Sequence, residues 1–241
     1  MQVSQWFYVG VQDAGAGKEM TNKAILEAFT NVANIHADKV GQGMNNRPSD
    51  LAWVVHNWYM EVYRRPLAGE TVIGKTWARS YDKLQAFRDL ELMTMGGETL
   101  AKATSLWVAV NPQTRRILRL TPELMEPYGP EIGQDAFPGY SFPRTWPEEQ
   151  EFLDEISYKI TKSMIDVNGH VHNPAYLDIV SELLPEEKEQ HHYSRTEILY
   201  RKEILPQETV KAGYFMTEDN KLCAVIKSQT GDVNAIVLLY D

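Results

Sequence analysis

The chain has a single cysteine, Cys223, in 241 residues. That excludes an intramolecular disulfide and any thiolate metal cluster. Its purely apolar runs are only a few residues long, far short of the roughly 20 that cross a bilayer, so no membrane span is expected. It also lacks an excess of positive charge: 24 Lys and Arg face 33 Asp and Glu, for a net charge of −9. Sequence-independent nucleic-acid binding needs a basic face, so no nucleic-acid partner is expected. The opening residues, MQVSQWFYVGVQDAG, have no basic stretch ahead of an apolar one. No signal peptide is therefore expected, and the expected location is cytoplasmic.

What is present is a chain long enough for one large domain or two small ones. Six of its 12 prolines fall between Pro122 and Pro147, with Gly129, Gly133 and Gly139 among them. Such a stretch cannot hold a regular element and reads as a linker. The expected boundaries are a first unit over 1–128, a linker over 129–151 and a second unit over 152–241.

Ahead of the linker, TNKAILEAFTNVANIHA puts Ile25, Ala28, Phe29, Val32 and Ile35 on one helical face. DLAWVVHNWYMEVYRRPLAGETV is β-rich, and VIGKTWARSY, LQAFRDLELMTM and TLAKATSLWVAV read as strands separated by turns. After the linker, EISYKITKSMI alternates as a strand and a helix spans Tyr176 to Leu184, stopped by Pro185. RTEILYRKEI, TVKAGYFMTED, KLCAVIKSQT and VNAIVLLY follow as strands. Both halves thus read strand, helix, then four meandering strands. TNKAILEAF lies on HNPAYLDIV, and VYRRPLAGETV lies on LYRKEILPQETV with one extra residue in the second copy. This is a tandem duplication of one α+β unit, and a strongly bent antiparallel sheet around a central helix suits its element order.

The copies differ where the second one reads SMIDVNGHVHNPAYLDIV. Asn168-Gly169 favours a turn, and Asn173-Pro174 suits a helix start with Asn as N-cap and Pro at the first helical position. Asp166, Asn168 and His170 then stand where a strand turns into a buried helix. There free N–H groups and the helix dipole favour negative charge, a developing oxyanion included. Asn donates to a carbonyl oxygen, His shuttles a proton, and Asp orients either. Turn and cap bonds alone would explain the same residues. The first copy, however, starts a comparable helix with Gly15, Gly17 and Glu19 in their place, so helix initiation does not require the triad.

With these residues the sequence resembles the acyl-acyl-carrier-protein thioesterases, double-hotdog proteins of plants and bacteria. The resemblance covers nearly the whole chain, including YRRPLAGETVIGKTW, LWVAVNPQTRRILRLTPE, the D-x-N-x-H-x-x-N stretch and LYRKEILPQETV. It implies hydrolysis of a fatty acyl thioester on acyl carrier protein, with no metal or organic cofactor. The catalytic residues it implies are Asp166, Asn168, His170 and Glu203, with the site on the second unit. Plant members tend to place Cys after that Glu; here Ile204 follows, which argues against a cysteine nucleophile, and Cys223 reads as a core residue. The expected scheme has Glu203 activating a water, Asn168 and N–H groups from Gly169 to Val171 holding the carbonyl oxygen, and His170 serving the water or the leaving thiolate. Direct attack by a carboxylate stays open.

The first unit, lacking the triad, is expected to shape the acyl pocket through Trp53, Val55, Trp58 and Met60. Acyl carrier proteins are acidic, so docking on a net-acidic chain needs local cations: Arg64-Arg65, Arg115-Arg116-Arg119 or Arg201-Lys202. A homodimer is compatible with the sequence. An acyl-CoA thioesterase of the same fold and a non-catalytic acyl-binding regulator are the competing readings.

Overall fold

Helix α1 (Asn22–Lys39) buries Ile25, Ala28, Phe29 and Val32 on the expected face. Towards its end the buried stripe runs through His36 rather than Ile35, which is only half-buried. The Thr21 hydroxyl caps it, accepting the Ala24 N–H at 3.1 Å and satisfying one of the orphan donors of a helix start. Around α1 come β1 (Gln2–Tyr8), β2 (Ala52–Val62), β3 (Thr71–Tyr81), β4 (Ala86–Thr94) and β5 (Thr99–Val110), followed by the short α2 (Pro122–Met125). The second half holds β6 (Asp154–Lys159), α3 (Tyr176–Leu183), the short α4 (Glu186–Glu189), and β7 (Arg195–Tyr200), β8 (Thr209–Met216), β9 (Leu222–Ser228) and β10 (Val233–Tyr240). This is a computed structural model that describes residues 1–44, 46–148 and 150–241.

The chain divides into two units, 1–141 and 142–241. Within the first, the strands order β1-β3-β4-β5-β2 with every neighbouring pair antiparallel. Within the second the order is β6-β8-β9-β10-β7, again antiparallel throughout. Reading each unit as strand, helix, then four strands, the two orders are the same. The duplication seen in the sequence is a duplication of topology, and each unit is a hotdog: one sheet with one long helix packed on it.

Among its described residues the Pro/Gly-rich stretch forms no strand, but against expectation its start holds α2 and a 3-10 turn over Glu126–Tyr128, and it is not a loose tether. Its earlier part packs within the first unit: the Ala136 N–H donates to Asp89 Oδ2 at 2.9 Å, the Trp77 indole donates to the Gln134 carbonyl at 3.0 Å, and Tyr140 stacks on Tyr59. Its later part belongs to the second unit, where Trp146 joins the buried cluster with Cys223, Val225 and Ile236. Glu149, inside the expected linker, lies outside the described residues.

In β2 a bulge falls between Val55 and Asn57, where His56 has no opposite number on β5. It reverses the alternation, so Trp53, Val55, Trp58 and Met60 share one face although their numbers change parity. Val55, Trp58 and Met60 are buried. Trp53 is half-buried against a cluster that includes Leu120, Met125 and Tyr128, its indole bonded to Gln42 at 3.1 Å.

Candidate active site

The stretch after β6 closes a tight loop. Ile165 bridges Val171, the Asp166 N–H donates to the His170 carbonyl at 3.0 Å, and the Gly169 N–H donates to the Asp166 carbonyl at 3.0 Å. Gly169 sits at φ 83°, a left-handed conformation that favours glycine. Asp166 organises the loop from inside: Oδ1 accepts the Asn168 backbone N–H at 2.8 Å and Oδ2 accepts the Asn168 carboxamide at 3.2 Å. One carboxamide hydrogen and the amide oxygen remain for a substrate. Asn168 is exposed and His170 half-buried.

His170 Nδ1 lies 3.4 Å from the Val171 carbonyl and 3.8 Å from Asp166 Oδ1. Both neighbours are acceptors, so the proton belongs on Nδ1 and Nε2 is left to accept one.

Two expectations need correction. Asn173 does not cap the helix: a 3-10 turn over Asn173–Ala175 precedes α3, with His172 in the cap position and no side-chain cap bond. Pro174 removes an amide there, and Asn173 serves through its carbonyl, which accepts the Tyr200 hydroxyl at 2.7 Å. Second, the amides of Gly169 and Val171, expected to hold a carbonyl oxygen, are engaged within the protein. Val171 N–H donates to the Ile204 carbonyl at 2.9 Å. The Val167 and His170 amides take no partner among the described residues, which leaves them beside the Asn168 carboxamide as the donors of this loop.

Glu203 was expected in a strand running through RTEILYRKEI. Instead β7 stops at Tyr200, because Arg201 and Lys202 both direct their amides to the Asn234 carbonyl, at 2.8 and 3.2 Å. Two amides on one carbonyl end the ladder and turn the chain out. The Ile204 carbonyl then meets Val171, so Glu203 is carried to the Asp-Asn-His loop with its side chain exposed. Tyr176, first residue of α3, completes the surroundings. Burial raises its hydroxyl pKa, the nearby Ile204 amide opposes that shift, and the negative charge of Glu203 adds to it. Tyr176 also meets Tyr200 edge to face at 5.0 Å. Both tyrosines were missed as site residues, since at helical and strand spacing they read as core. For Tyr176 the available signal was its counterpart in the first copy, Ile25, which has no hydroxyl; Tyr200 aligns with Tyr63, and no signal in the sequence singles it out.

The first unit repeats the loop without its chemistry. Gly15 N–H donates to the Glu19 carbonyl at 3.0 Å, Lys18 N–H to the Gly15 carbonyl at 2.9 Å, and Met20 N–H to the Pro66 carbonyl at 2.8 Å. These are the bonds of Asp166, Gly169 and Val171, made by Gly15, Lys18 and Met20. Matching Met20–Pro66 to Val171–Ile204 puts Arg65 at the position of Glu203. Aligned by sequence, Arg65 falls on Lys202 and Glu203 is the extra residue. The hydrogen-bond register shifts that by one, and Arg65 turns back to donate to the Met20 carbonyl at 3.0 Å.

Several cations expected to dock a carrier already hold carboxylates. Arg64 pairs with Glu70 at 3.3 Å and Glu98 at 3.7 Å, Arg201 pairs with Glu148, and Lys202 pairs with Asp232 at 2.8 Å. Arg115, Arg116 and Arg119 are exposed around the turn after β5. Cys223 is fully buried, and burial pushes its thiol up to about 12. It is therefore a protonated core residue at neutral pH. Among the described residues no cluster of three or more His, Cys, Asp and Glu is arranged to hold a metal ion, and no helix is long and apolar enough to cross a membrane.

The fold and the loop together define a tandem hotdog protein with one elaborated loop, on its second unit. Family comparison agrees across the chain. Residues 2–128 match the acyl-ACP thioesterase N-terminal domain and residues 148–237 match the acyl-ACP thioesterase C-terminal domain. The chain belongs to the acyl-ACP thioesterase family. The oleoyl-acyl carrier protein thioesterase 1 of Arabidopsis thaliana is 28% identical, over 85% of this chain and 61% of its own length. The dodecanoyl-[acyl-carrier-protein] hydrolase of Cinnamomum camphora is 28% identical, over 82% of this chain and 55% of its own. The chain thus spans about three fifths of the length of such curated relatives. Among solved structures, an acyl-ACP thioesterase from Bacteroides thetaiotaomicron superposes with TM-score 0.87 at 20% identity, covering 99% of this chain and 97% of that one. The 12:0-ACP thioesterase from Umbellularia californica gives 0.85 at 22% identity, covering 99% and 96%. At these identities the likeness establishes the fold.

Proposed function

We propose that the chain hydrolyses a fatty acyl thioester carried on acyl carrier protein, releasing the free fatty acid and the carrier thiol. The observation that carries this reading is the comparison of the two loops: the same backbone bonds close both, but only the second bears Asp166, Asn168, His170 and Glu203. A fold element kept twice and given acid–base and oxyanion-binding groups once marks that copy as the reactive one. The curated relatives are named for this reaction, which supports the choice of carrier.

In the mechanism, Glu203 takes a proton from a water as its oxygen attacks the thioester carbon. The carbonyl oxygen, gaining charge, is held by the free hydrogen of the Asn168 carboxamide and the His170 amide. Collapse of the tetrahedral intermediate breaks the C–S bond, and the leaving thiolate takes the proton that Glu203 drew from the water, passed on through His170 Nε2, so that Glu203 returns to the carboxylate and His170 to the neutral ring. Asp166 fixes the loop and the Asn168 rotamer. Attack by a carboxylate through an anhydride is the alternative first step, and it gives the same products. The shared β2 face of Trp53, Val55, Trp58 and Met60 suits an acyl pocket in the first unit, and Arg115, Arg116 and Arg119 suit an acidic carrier.

The test is release of free thiol and fatty acid from a panel of acyl chains of graded length, each presented on acyl carrier protein and on coenzyme A. The expected result is turnover on the carrier protein with kcat/KM at least about tenfold above the coenzyme A thioester of the same chain. A preference for coenzyme A would overturn the carrier, and binding without hydrolysis would favour the regulator.

A further inference from the structure

Strand β10 reads Val-Asn-Ala-Ile-Val-Leu-Leu-Tyr, and its one carboxamide, Asn234, is 1% exposed. Burying such a group is unfavourable unless its hydrogen bonds are made, and Asn234 Oδ1 has no partner among the described residues. Asn is also a poor strand former. Its remaining groups converge on one short segment. The backbone carbonyl accepts the Arg201 and Lys202 amides, and Nδ2 donates to the carbonyls of Lys202 and Glu203, each at 3.3 Å. One buried residue thus holds four consecutive peptide groups, the last of them the one that joins Glu203 to Ile204.

The first unit supplies an internal control. There the Leu100 carbonyl accepts the Tyr63 and Arg64 amides at 2.8 and 3.1 Å, the same pair of bonds at the same corner. Leu100 is fully buried and offers no side-chain donor to the carbonyls beyond. The corner therefore turns without the carboxamide. What changes with it is the cargo: Leu100 goes with Arg65, and Asn234 goes with Glu203.

We propose that Asn234 is a positioning residue for Glu203, holding the carboxylate at the reacting water by fixing the peptides that carry it. The proposal rests on the reading of Glu203 as general base. Beyond β7 no strand among the described residues continues the segment, and Asn234 anchors its backbone on one side of Glu203 as the Val171–Ile204 bond does on the other. Without the carboxamide, Glu203 keeps its chemistry and loses its aim. An ångström of misplacement is enough to cost about a hundredfold in rate.

The experiment places the first unit's residue in the second, Asn234→Leu, in the wild-type and Glu203→Gln backgrounds. In the wild-type background, kcat is expected to fall roughly ten- to a hundredfold with KM changed less than about twofold. The thermal midpoint should stay level or rise, because an unpaired buried oxygen has been removed. A purely structural role would instead lower the midpoint and leave kcat alone. In the Glu203→Gln background Asn234→Leu should cost nothing further, since no base remains to be positioned. Wild-type kcat in Asn234→Leu, or an equal loss in both backgrounds, overturns the proposal. If Asn234→Leu does not fold, Asn234→Ser goes through the same comparison. Failure of the base assignment is recognised separately: Glu203→Gln alone would then turn over at the wild-type rate, and the positioning role falls with it.

Discussion

The amide of Val171 and the carbonyl of Ile204, 33 residues apart in the chain, are joined at 2.9 Å. That bond ties the Asp-Asn-His loop to the segment bearing Glu203, so two distant stretches of the chain meet at one place.

If Glu203 is the base, Glu203→Gln keeps size and shape but removes the proton acceptor. A general base contributes about a hundred- to ten-thousandfold, and a loss on that scale is expected in kcat with KM little changed. Asn168→Ala should lose on the order of 3 kcal/mol of transition-state stabilisation by removing one oxyanion donor. Steady-state kinetics on one carrier thioester measures both; a Glu203→Gln enzyme at full rate would remove Glu203 from the mechanism.

Cys223 leads to the opposite expectation. Its thiol is buried, raised to about 12, and lies 3.7 Å from the Pro147 carbonyl. Cys223→Ala should retain turnover at a stability cost of about 1 kcal/mol, and iodoacetamide should not inactivate the folded enzyme. Rapid stoichiometric inactivation of native protein would contradict the burial.

His36 makes stability depend on pH. Burial first, then the Arg88 charge, lower its pKa to about 3 in the fold, against 6.5 for a free imidazole. Arg88 Nη1 lies 3.0 Å from Nδ1, so the neutral ring accepts a bond that protonation would break. The folded state binds fewer protons than the unfolded one below the unfolded pKa. The stabilisation is therefore complete above pH 6.5 and is lost as pH falls from there towards 3, at up to about 1.4 kcal/mol per unit. Thermal midpoints between about pH 7 and pH 5 should fall more steeply in wild type than in His36→Gln, whose side chain does not titrate. Parallel slopes would mean that the buried ring is not the group responsible.

Much of this protein was legible in its sequence because local periodicity and turn chemistry are local properties. The helical stripe of α1, the meander strands, the duplication, and the Asp-Asn-Gly-His turn all follow from neighbours in the chain. Asp166 bonding Asn168 two residues on is a contact that the spacing alone supplies. Tertiary structure decided what depends on register between distant strands. It took the Asn234 carbonyl, receiving two amides, to end β7 at Tyr200 and turn Glu203 out towards the loop. It took the Met20–Pro66 and Val171–Ile204 bonds to show that Arg65, and not a gap, stands where Glu203 does. The bulge at His56 likewise put Trp53, Val55, Trp58 and Met60 on one face. A one-residue shift in pairing reverses which face a side chain takes, and that shift is set by the partner strand, which a single stretch of sequence does not contain.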